Sequence, residues 1–425
     1  MSTTTPLLRR IEPGNVRRYV RDTLDPNAVQ DAQAITNDVR SGGIESVRSQ
    51  AERFGELEPG QLLVLGRDRL QQAIELVDSD SLELLRRVSQ RIERFASAQR
   101  DSIRDLSLPI PGGEAGHSVL PVDSAGCYAP AGRHPLPSSV LMTAMTARVA
   151  GCKRVVVASP SRDPVMLAAA SIAGADEYLA VGGAHAIAAL AFGFEGFASC
   201  DVIVGPGNKW VTAAKHLVSD RVGIDMLAGP SELLILADET ANPSVVATDL
   251  LAQAEHDDDA VPMLVTTSTE LPNLVEQALS LQLESLPTAL TARRALQNGF
   301  ACVVESRDAA CQLSDQIAAE HVEILMREPD EIASQLRNAG GIFIGPASAE
   351  VLGDYGSGPN HTLPTGGSAR YAAGLSVMHF LRLRTWLRIE SALDAKPTLQ
   401  DAAALARIEG LEAHRASALS RVVPE

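Results

Sequence analysis

The sequence predicts an α/β protein with two parallel-sheet units, a helical N-terminal segment and a helical C-terminal arm. From about residue 124, short β-branched runs such as RVVVAS, DVIVG, LLILAD and IFIG alternate with Ala-rich helical stretches. This alternation is typical of parallel sheets, because two parallel strands must be joined by a long crossover. With 425 residues, the chain can also form more than one hydrophobic core.

The first part of the chain predicts helices from about residue 27 to residue 107. Segments such as LQQAIELV and SLELLRRVSQRIERFA repeat apolar residues at spacings of three and four, which is the period of a helix face. The Pro- and Gly-rich passage SLPIPGGEAGHSVLPVDSAG then ends this pattern. The predicted strands fall into two groups, roughly 124–231 and 232–346, and the tail after Ser376 predicts helix again.

Composition narrows the function classes. The chain has 37 Lys and Arg against 53 Asp and Glu, a formal charge of -16, which repels nucleic acid in the absence of a basic patch. The arginines near the two ends are interleaved with acidic residues and predict solvated helix faces. The five cysteines form no C-x-x-C pair, and no segment has the pattern of a signal peptide or a membrane span. We therefore predict a cytoplasmic protein.

Two glycine-rich turns precede polar residues that could act in a site. In DVIVGPGNKW, the turn that ends at Asn208 lies between a strand and a helix, where backbone N–H groups can hold a phosphate, although such a turn is also common without a ligand. Ser231 follows a Gly-Pro turn directly before the strand LLILAD. Its hydroxyl is predicted at a domain edge, with a turn-capping role as the alternative.

Three further segments carry candidate ligands and acid–base groups. Gln253 and His256 are three residues apart on a predicted helix, so they would share one face, as two ligands of one metal require, or simply form a polar face. Glu320 and His321 are adjacent and would suit a reaction with two proton transfers, although such pairs are more often at the surface. The sequence contains none of the usual local metal-binding motifs. A metal site would therefore have to be assembled from distant segments.

The last two candidate segments lie near the C-terminus. The passage GDYGSGPNHTLPTGGSARYAAGLS contains six glycines together with Asp354 and His361. Long loops of defined polar composition often carry function. Glu409 and His414 lie on a predicted C-terminal helix, which by itself is typical of an ordinary amphipathic end.

Taken together, these segments resemble the histidinol dehydrogenase family from about residue 25 to the C-terminus. The resemblance implies two incomplete Rossmann-like domains and a C-terminal arm that is exchanged in a homodimer. It also implies the following division of the chain: an N-terminal extension at 1–20, a substrate and metal domain at 21–123 and 232–375, an NAD-binding domain at 124–231, and an arm at 376–425 that completes the partner's site.

Family roles can be carried over residue by residue. The resemblance implies Zn²⁺, one ion per subunit, and NAD as cofactors, and L-histidinol as the substrate. It implies these site residues: metal ligands Gln253, His256, Asp354 and His414; catalytic residues Glu320 and His321; NAD contacts Tyr128, His185 and Asn208; and substrate contacts Ser231, His321, His361 and Glu409 together with the metal ligands.

The implied reaction is the four-electron oxidation of L-histidinol through L-histidinal to L-histidine, with two NAD⁺. In it, His321 takes the alcohol proton, and Glu320 activates the water that adds to the aldehyde. A route through a cysteine nucleophile would fall to Cys127, for which packing in the core is the favoured interpretation.

The chain departs from the family pattern in its NAD-binding part. His185 stands where the family usually has Gln, Ala131 where Gly is usual, and His134 at a normally uncharged position.

Three alternatives remain open at this stage. They are a related metal-dependent dehydrogenase acting on another polar alcohol, a metallohydrolase that uses no nucleotide, and an inactive scaffold. The scaffold would be expected to lack a ligand or the Glu320 and His321 pair, and the chain has them all.

Overall fold

The computed structural model describes residues 6–19, 23–131 and 135–422, so that His134 lies outside the described residues. Its strands form two six-stranded sheets and one three-stranded sheet. Helices flank the two larger sheets, and the hydrophobic core lies between each sheet and its helices. The predicted α/β class with parallel-sheet cores is confirmed.

The strands of the described residues are β1 (Arg9–Arg10), β2 (Val64–Gly66), β3 (Leu106–Ile110), β4 (Gly113–Pro121), β5 (Ser124–Tyr128), β6 (Arg154–Ala158), β7 (Glu177–Leu179), β8 (Val202–Val204), β9 (Gly223–Ile224), β10 (Glu232–Ala237), β11 (Val261–Thr266), β12 (Phe300–Val303), β13 (His321–Leu325), β14 (Gly341–Ile344) and β15 (Leu381–Ile389).

The α-helices are α1 (Pro26–Arg53), α2 (Arg67–Ile74), α3 (Ser79–Asp101), α4 (Pro137–Val140), α5 (Thr146–Ala150), α6 (Pro164–Ile172), α7 (Gly183–Phe192), α8 (Lys209–Val218), α9 (Pro243–Ala254), α10 (Leu271–Gln282), α11 (Ala289–Leu296), α12 (Arg307–Ile317), α13 (Pro329–Gln335), α14 (Val351–Asp354), α15 (Lys396–Ile408) and α16 (Glu412–Leu419). A π-helical turn at Leu141–Met145 joins α4 to α5, and short 3₁₀ segments lie at Pro13–Tyr19, Ser368–Arg370 and Val377–Phe380.

The first sheet has the order β2-β7-β6-β5-β8-β9 and is parallel except for β2, which runs antiparallel to β7. Helix α1 packs on α7 and α8, α2 packs on α6, and α3 packs on α5. Residues 26–101 therefore pack with the 124–231 sheet, whereas the sequence-based division places 21–123 in one domain with 232–375. The physical reason is that α1 to α3 cover the apolar helices of this sheet, whose strands are buried on both faces.

The second sheet has the order β1-β12-β11-β10-β13-β14 and is parallel throughout. Its central strands β10, β11 and β13 are fully buried, as continuous apolar runs predict. The predicted N-terminal extension supplies the edge strand β1, which pairs with β12. The chain passes from the first sheet to the second through residues 225–231, which connect β9 to β10.

The third sheet is antiparallel, with the order β15-β4-β3. The prediction that the tail after Ser376 is helical is wrong for 381–389, because this segment pairs with β4 along its whole length. Its sequence LRLRTWLRI alternates apolar and basic residues, which is the period of a strand. Helices α15 and α16 follow it, as predicted, and pack on each other.

None of the helices in the described ranges is long and apolar enough to cross a membrane.

The packing of residues 26–101 on the first sheet predicts where truncation is costly. Leu70 of α2 is 1% exposed in the core, whereas Leu76 is 73% exposed. We expect Leu70→Ala to lower stability by about 2–5 kcal/mol, because the lost contacts leave a cavity, and Leu76→Ala to change it by less than about 0.5 kcal/mol. Thermal unfolding of both variants checks this, and equal melting temperatures would contradict the packing described above.

Candidate active site

The neighbouring strands β10 and β13 bring Ser231, Glu320 and His321 together at the N-terminal edge of the second sheet. Leu233 pairs with His321 across the two strands, so the residues just before them are also adjacent. The Ser231 hydroxyl donates a hydrogen bond to Glu320 Oε2 at 2.7 Å, and the backbone N–H of Glu232 donates to the same oxygen at 2.8 Å. These two donors fix the Glu320 carboxyl group.

Glu320 is 7% exposed, and burial raises its pKa to about 7 even though the hydrogen bonds from Ser231 and Glu232 favour the carboxylate. A carboxyl group with such a pKa exchanges protons readily near neutrality, as a general base must. It lies at the junction between a left-handed Ala318, which ends α12, and the start of β13.

His321 is 2% exposed, and its two ring nitrogens have different surroundings. Nδ1 lies 3.1 Å from the backbone oxygen of Glu232, so Nδ1 carries the proton, since a carbonyl can only accept. Nε2 makes no hydrogen bond and lies 3.5 Å from Glu350 Oε1. The unprotonated Nε2 is therefore the nitrogen that can accept a proton.

Sequence reasoning missed Glu350, which is 2% exposed. Burial raises its pKa to about 7. It precedes Asp354 by four residues at the start of α14, and this spacing on one helix face was the signal that could have revealed it.

A second group of side chains is suited to hold a cation. One ligand atom each from His256, Glu350 and Asp354 lies within 4.8 Å of the others, and His256 Nε2 lies 3.3 Å from Asp354 Oδ2. Although burial favours neutral imidazole, the hydrogen bond to Asp354 and the nearby carboxylates raise the pKa of His256 to about 9. The raised pKa of His256 reflects the excess of negative charge on the surrounding carboxylates, and this excess also attracts cations.

Gln253 supports the same interpretation. Its side chain is 0% exposed, and neither its amide oxygen nor its nitrogen has a hydrogen-bond partner. A buried polar group without a partner is costly, and a bound cation would satisfy the amide oxygen. The donor set of amide oxygen, imidazole and carboxylate is one that zinc accepts.

The prediction that Gln253 and His256 share one helix is wrong, because α9 ends at Ala254 and His256 lies in the following turn. The Asp257 side chain accepts a hydrogen bond from the Asp259 N–H at 2.9 Å, and this local bond competes with helix continuation. The turn still keeps the two residues adjacent.

His361 contacts the backbone of the candidate cation-binding group. Its Nδ1 donates to the backbone oxygen of Asp354 at 3.0 Å, and its Nε2 lies 3.4 Å from the Ser139 hydroxyl. Ser139 belongs to α4, which follows the first sheet's β5. His361 therefore connects the two sheet units beside the site.

The three predicted NAD contacts follow strands of the first sheet at its C-terminal edge. The buried Tyr128 ends β5, and its hydroxyl accepts a hydrogen bond from the Gly183 N–H at 3.2 Å. Asn208 follows β8 and is exposed; its side-chain oxygen accepts from Trp210 N and Val211 N at 3.1 Å each. Its amide NH₂ is thereby directed away from the helix.

His185 is 1% exposed and lies against Glu56, a partner that sequence reasoning missed. Its Nε2 is 2.8 Å from Glu56 Oε2, and the Gly182 N–H donates to the same oxygen at 3.0 Å. His185 thus fixes the start of α7. Ala131 is exposed, next to the undescribed 132–134.

Glu409 and His414 are exposed on the arm. Among the described residues, neither side chain is hydrogen-bonded or ion-paired with the other predicted site residues. Cys127 is 0% exposed, and burial raises the pKa of its thiol well above the usual value. It is therefore not a thiolate at neutral pH, in agreement with its predicted role in packing.

Comparison with known proteins matches this arrangement to one family. A histidinol dehydrogenase profile matches residues 20–422. The chain belongs to the histidinol dehydrogenase family.

Relatives named histidinol dehydrogenase agree along almost the whole length. The protein from Parasynechococcus marenigrum is 42% identical over 396 residues, covering 91% of this chain and 90% of that one. The protein from Bacillus anthracis is 41% identical over 399 residues, covering 92% of each. The crystal structure of histidinol dehydrogenase from Elizabethkingia anophelis superimposes with a TM-score of 0.91 at 29% identity and covers 98% of both chains. The resemblance inferred from the motifs is confirmed.

The cation-binding group predicts the effect of removing one member. We expect Asp354→Ala to lower the retention of Zn²⁺ by more than the roughly 10- to 100-fold that changes outside the ligand shell cause. The exposed Asp330, at the start of α13, provides the control Asp330→Ala. Elemental analysis after dialysis measures the bound metal, and equal zinc content in the two variants would contradict the assignment.

Proposed function

We propose that this chain oxidises L-histidinol through L-histidinal to L-histidine with two NAD⁺, as the last steps of histidine biosynthesis. The observation that carries the proposal is the pairing of two distinct proton acceptors, Glu320 and His321, beside a cluster of cation ligands. A four-electron oxidation of a primary alcohol needs a base for each of its two chemical stages. Membership of the histidinol dehydrogenase family supports L-histidinol as the substrate.

Gln253, His256 and Asp354, together with His414 of the partner subunit, are the proposed zinc ligands. When bound, zinc would hold the imidazole and amino nitrogens of the substrate and so orient the alcohol. With one carboxylate among these four ligands, the site would keep a charge of about +1. Glu409, Ser231 and His361 are the proposed substrate contacts beyond the metal ligands.

In the first oxidation, His321 Nε2 takes the proton of the substrate hydroxyl. NAD⁺, when bound, would supply the hydride acceptor for each of the two oxidations. The hydrogen bond from Nδ1 to the Glu232 carbonyl holds the ring in the tautomer that leaves Nε2 free. The Glu350 carboxyl beside Nε2 stabilises the imidazolium that results. The product of this stage is the aldehyde and one proton.

In the second stage, Glu320 removes a proton from the water that adds to the aldehyde carbon. The carbonyl oxygen takes the proton that His321 gained in the first oxidation, so that the addition gives a hydrated aldehyde with two hydroxyl groups. His321 is then again free to act as a base when the hydrated aldehyde loses hydride and proton. His321 accepts that proton, and the acid is formed. Ser231 orients the Glu320 carboxyl throughout.

Tyr128, His185 and Asn208 are the proposed NAD contacts. Asn208 is the exposed member and offers its amide N–H groups at the start of α8, where the helix dipole also favours a phosphate. Tyr128 and His185 act by holding the turn at Gly182 and Gly183. His185 stands at the position where the family usually has Gln. It would act by holding Glu56, which in turn holds the turn at Gly182.

The arm is proposed to complete the site of a partner subunit in a homodimer. Leu383 and Leu387 of β15 are 59% and 67% exposed, and Ile408 of α15 is 82% exposed. No residue of α16, which carries His414, is buried. An apolar surface of this extent on adjacent elements is typical of an interface between subunits.

Among the alternatives, a related dehydrogenase with another polar alcohol shares every feature described above and is separated only by substrate tests. A metallohydrolase would have no use for the turns around Tyr128 and Asn208. All five cysteines are free and buried, which supports a reducing compartment. We therefore place the reaction in the cytoplasm.

Two variants separate the stages of the reaction. We expect His321→Asn to lower the rate of the first oxidation by about 10²–10⁴-fold, the usual contribution of a positioned base, while zinc content stays the same. Glu320→Gln is expected to slow chiefly the oxidation of supplied histidinal. NADH formation from histidinol and from histidinal measures the two effects, with His216→Asn, a change at an exposed position, as the control. Unchanged turnover in both variants would rule out the assigned roles.

The Ser231 hydrogen bond predicts a change in pH dependence. Oxidation of supplied histidinal should fall as the pH drops below about 7, because Glu320 is then protonated. Ser231→Ala removes a bond that stabilises the carboxylate, so the pKa rises and the acid limb moves to higher pH. The exposed Ser280→Ala should leave the profile in place. An acid limb that moves to lower pH or does not move would refute the assigned contact.

The exchanged arm predicts complementation between two inactive subunits. In a mixed dimer of His321→Asn and His414→Ala chains, one site contains both intact residues and the other contains neither. Random exchange of equal amounts should restore about a quarter of the sites. Activity after the two inactive proteins are unfolded and refolded together measures this, and no recovery would place His414 in its own subunit's site.

A further inference from the structure

A buried ion pair lies behind the turn that precedes α8. Lys215 is on α8, and Asp225 follows β9 directly. Their side chains are 2% and 0% exposed, and Lys215 Nζ contacts Asp225 Oδ1. Removing two charges from water is costly unless further hydrogen bonds satisfy them. The position of those further bonds indicates what the pair does.

Two of the three further hydrogen bonds of the pair involve the same glycine, Gly205. Lys215 Nζ donates to the backbone oxygen of Gly205 at 2.9 Å, and the Gly205 N–H donates to Asp225 Oδ2 at 2.7 Å. The Met226 N–H donates to Asp225 Oδ1 at 2.7 Å. Both backbone polar groups of Gly205 are therefore held by a single charged pair within the core.

Gly205 stands between two of the proposed NAD contacts. Its φ is +118°, and a Cβ atom at this position would lie 2.0 Å from the backbone oxygen of Tyr128. The turn continues through Pro206 and Gly207 to Asn208, the N-cap of α8. A displacement of Gly205 would therefore shift both Tyr128 and Asn208.

The same region is tied to the catalytic residues. The Thr212 hydroxyl of α8 donates to the backbone oxygen of Ala228 at 2.6 Å, within the connection that leads from Asp225 to Ser231. Ser231 in turn donates to Glu320. The segment from Asp225 to Ser231 thus connects the ion pair, along the chain, to the residue that hydrogen-bonds the proposed general base.

We propose that Lys215 and Asp225 are positioning residues that hold the Gly205 turn in the geometry that binds NAD. This inference rests on the proposed function, because it takes Tyr128 and Asn208 to be NAD contacts. Neither charged side chain is expected to touch the dinucleotide, since both are buried beneath the turn.

The test replaces both members of the pair at once. Changing only one leaves the other charge buried without a partner, which destabilises a protein strongly, whereas replacing both by apolar residues of similar volume is often tolerated. We expect Lys215→Met/Asp225→Leu to fold, to raise the dissociation constant of NADH at least about tenfold because the turn is misplaced, and to raise KM for NAD while KM for histidinol stays within about twofold.

A matched control is available on the same sheet. Arg154 and Glu177 form an ion pair between β6 and β7. Among the described residues, their side chains are hydrogen-bonded to none of the proposed NAD contacts. Arg154→Met/Glu177→Leu should leave the dissociation constant of NADH unchanged. NADH fluorescence measures binding without turnover, and circular dichroism measures folding.

The outcomes separate this inference from the proposed function. Weak NADH binding by the folded Lys215 and Asp225 double variant, with normal binding by the control, supports the positioning role. Normal binding by that variant would overturn the positioning role alone, and so would its failure to fold, which would make the pair a requirement of stability. If the unaltered protein binds no NADH, the proposed function itself is wrong and the inference falls with it.

Discussion

The site depends on one electrostatic constraint, which is that several carboxyl groups lie buried together near the start of two central strands. Glu320, Glu350 and Asp354 surround two imidazoles. Deeper in the core, burial and the acidic neighbour Asp249 raise the pKa of Glu323. Buried carboxyl groups are stable only when they are protonated, or when the carboxylate is hydrogen-bonded or paired with a cation. The proposed metal and the proposed bases are two consequences of this one arrangement.

The two sheets contribute to the site from opposite strand ends, the first sheet from its C-terminal ends and the second from its N-terminal ends. The first sheet presents the C-terminal ends of β5 and β8, which are the ends where parallel sheets usually bind nucleotides. The second sheet presents the N-terminal ends of β10 and β13, where Ser231 and His321 lie. The short connection at 225–231 joins these edges, and contacts such as Ser139 with His361 keep them together. Hydride acceptor and proton acceptors would meet at this junction.

The sequence predicted the parallel sheets well, because buried parallel strands are continuous apolar runs that alternate with helices. It did not show which sheet residues 26–101 pack against, since an amphipathic helix shows that it has a buried face but not which sheet covers that face. It missed β15 although its alternating pattern was visible. Within the site, Glu320 and His321 were visible as an adjacent pair, but only the family resemblance selected them as the proposed catalytic residues. Glu350, Glu56 and the Lys215 and Asp225 pair were missed because their partners are distant in sequence and only the fold brings them together.

The central claim is that one site carries out both oxidations of histidinol and needs a metal to do so. The most direct measurement is the amount of NADH formed per histidinol consumed by the purified protein, before chelation, after chelation and after zinc is restored. The account predicts two NADH per histidinol, a loss of activity on chelation, and recovery with zinc. No NADH from histidinol, together with activity on another amino alcohol or diol, would contradict it and assign a different substrate to the same fold.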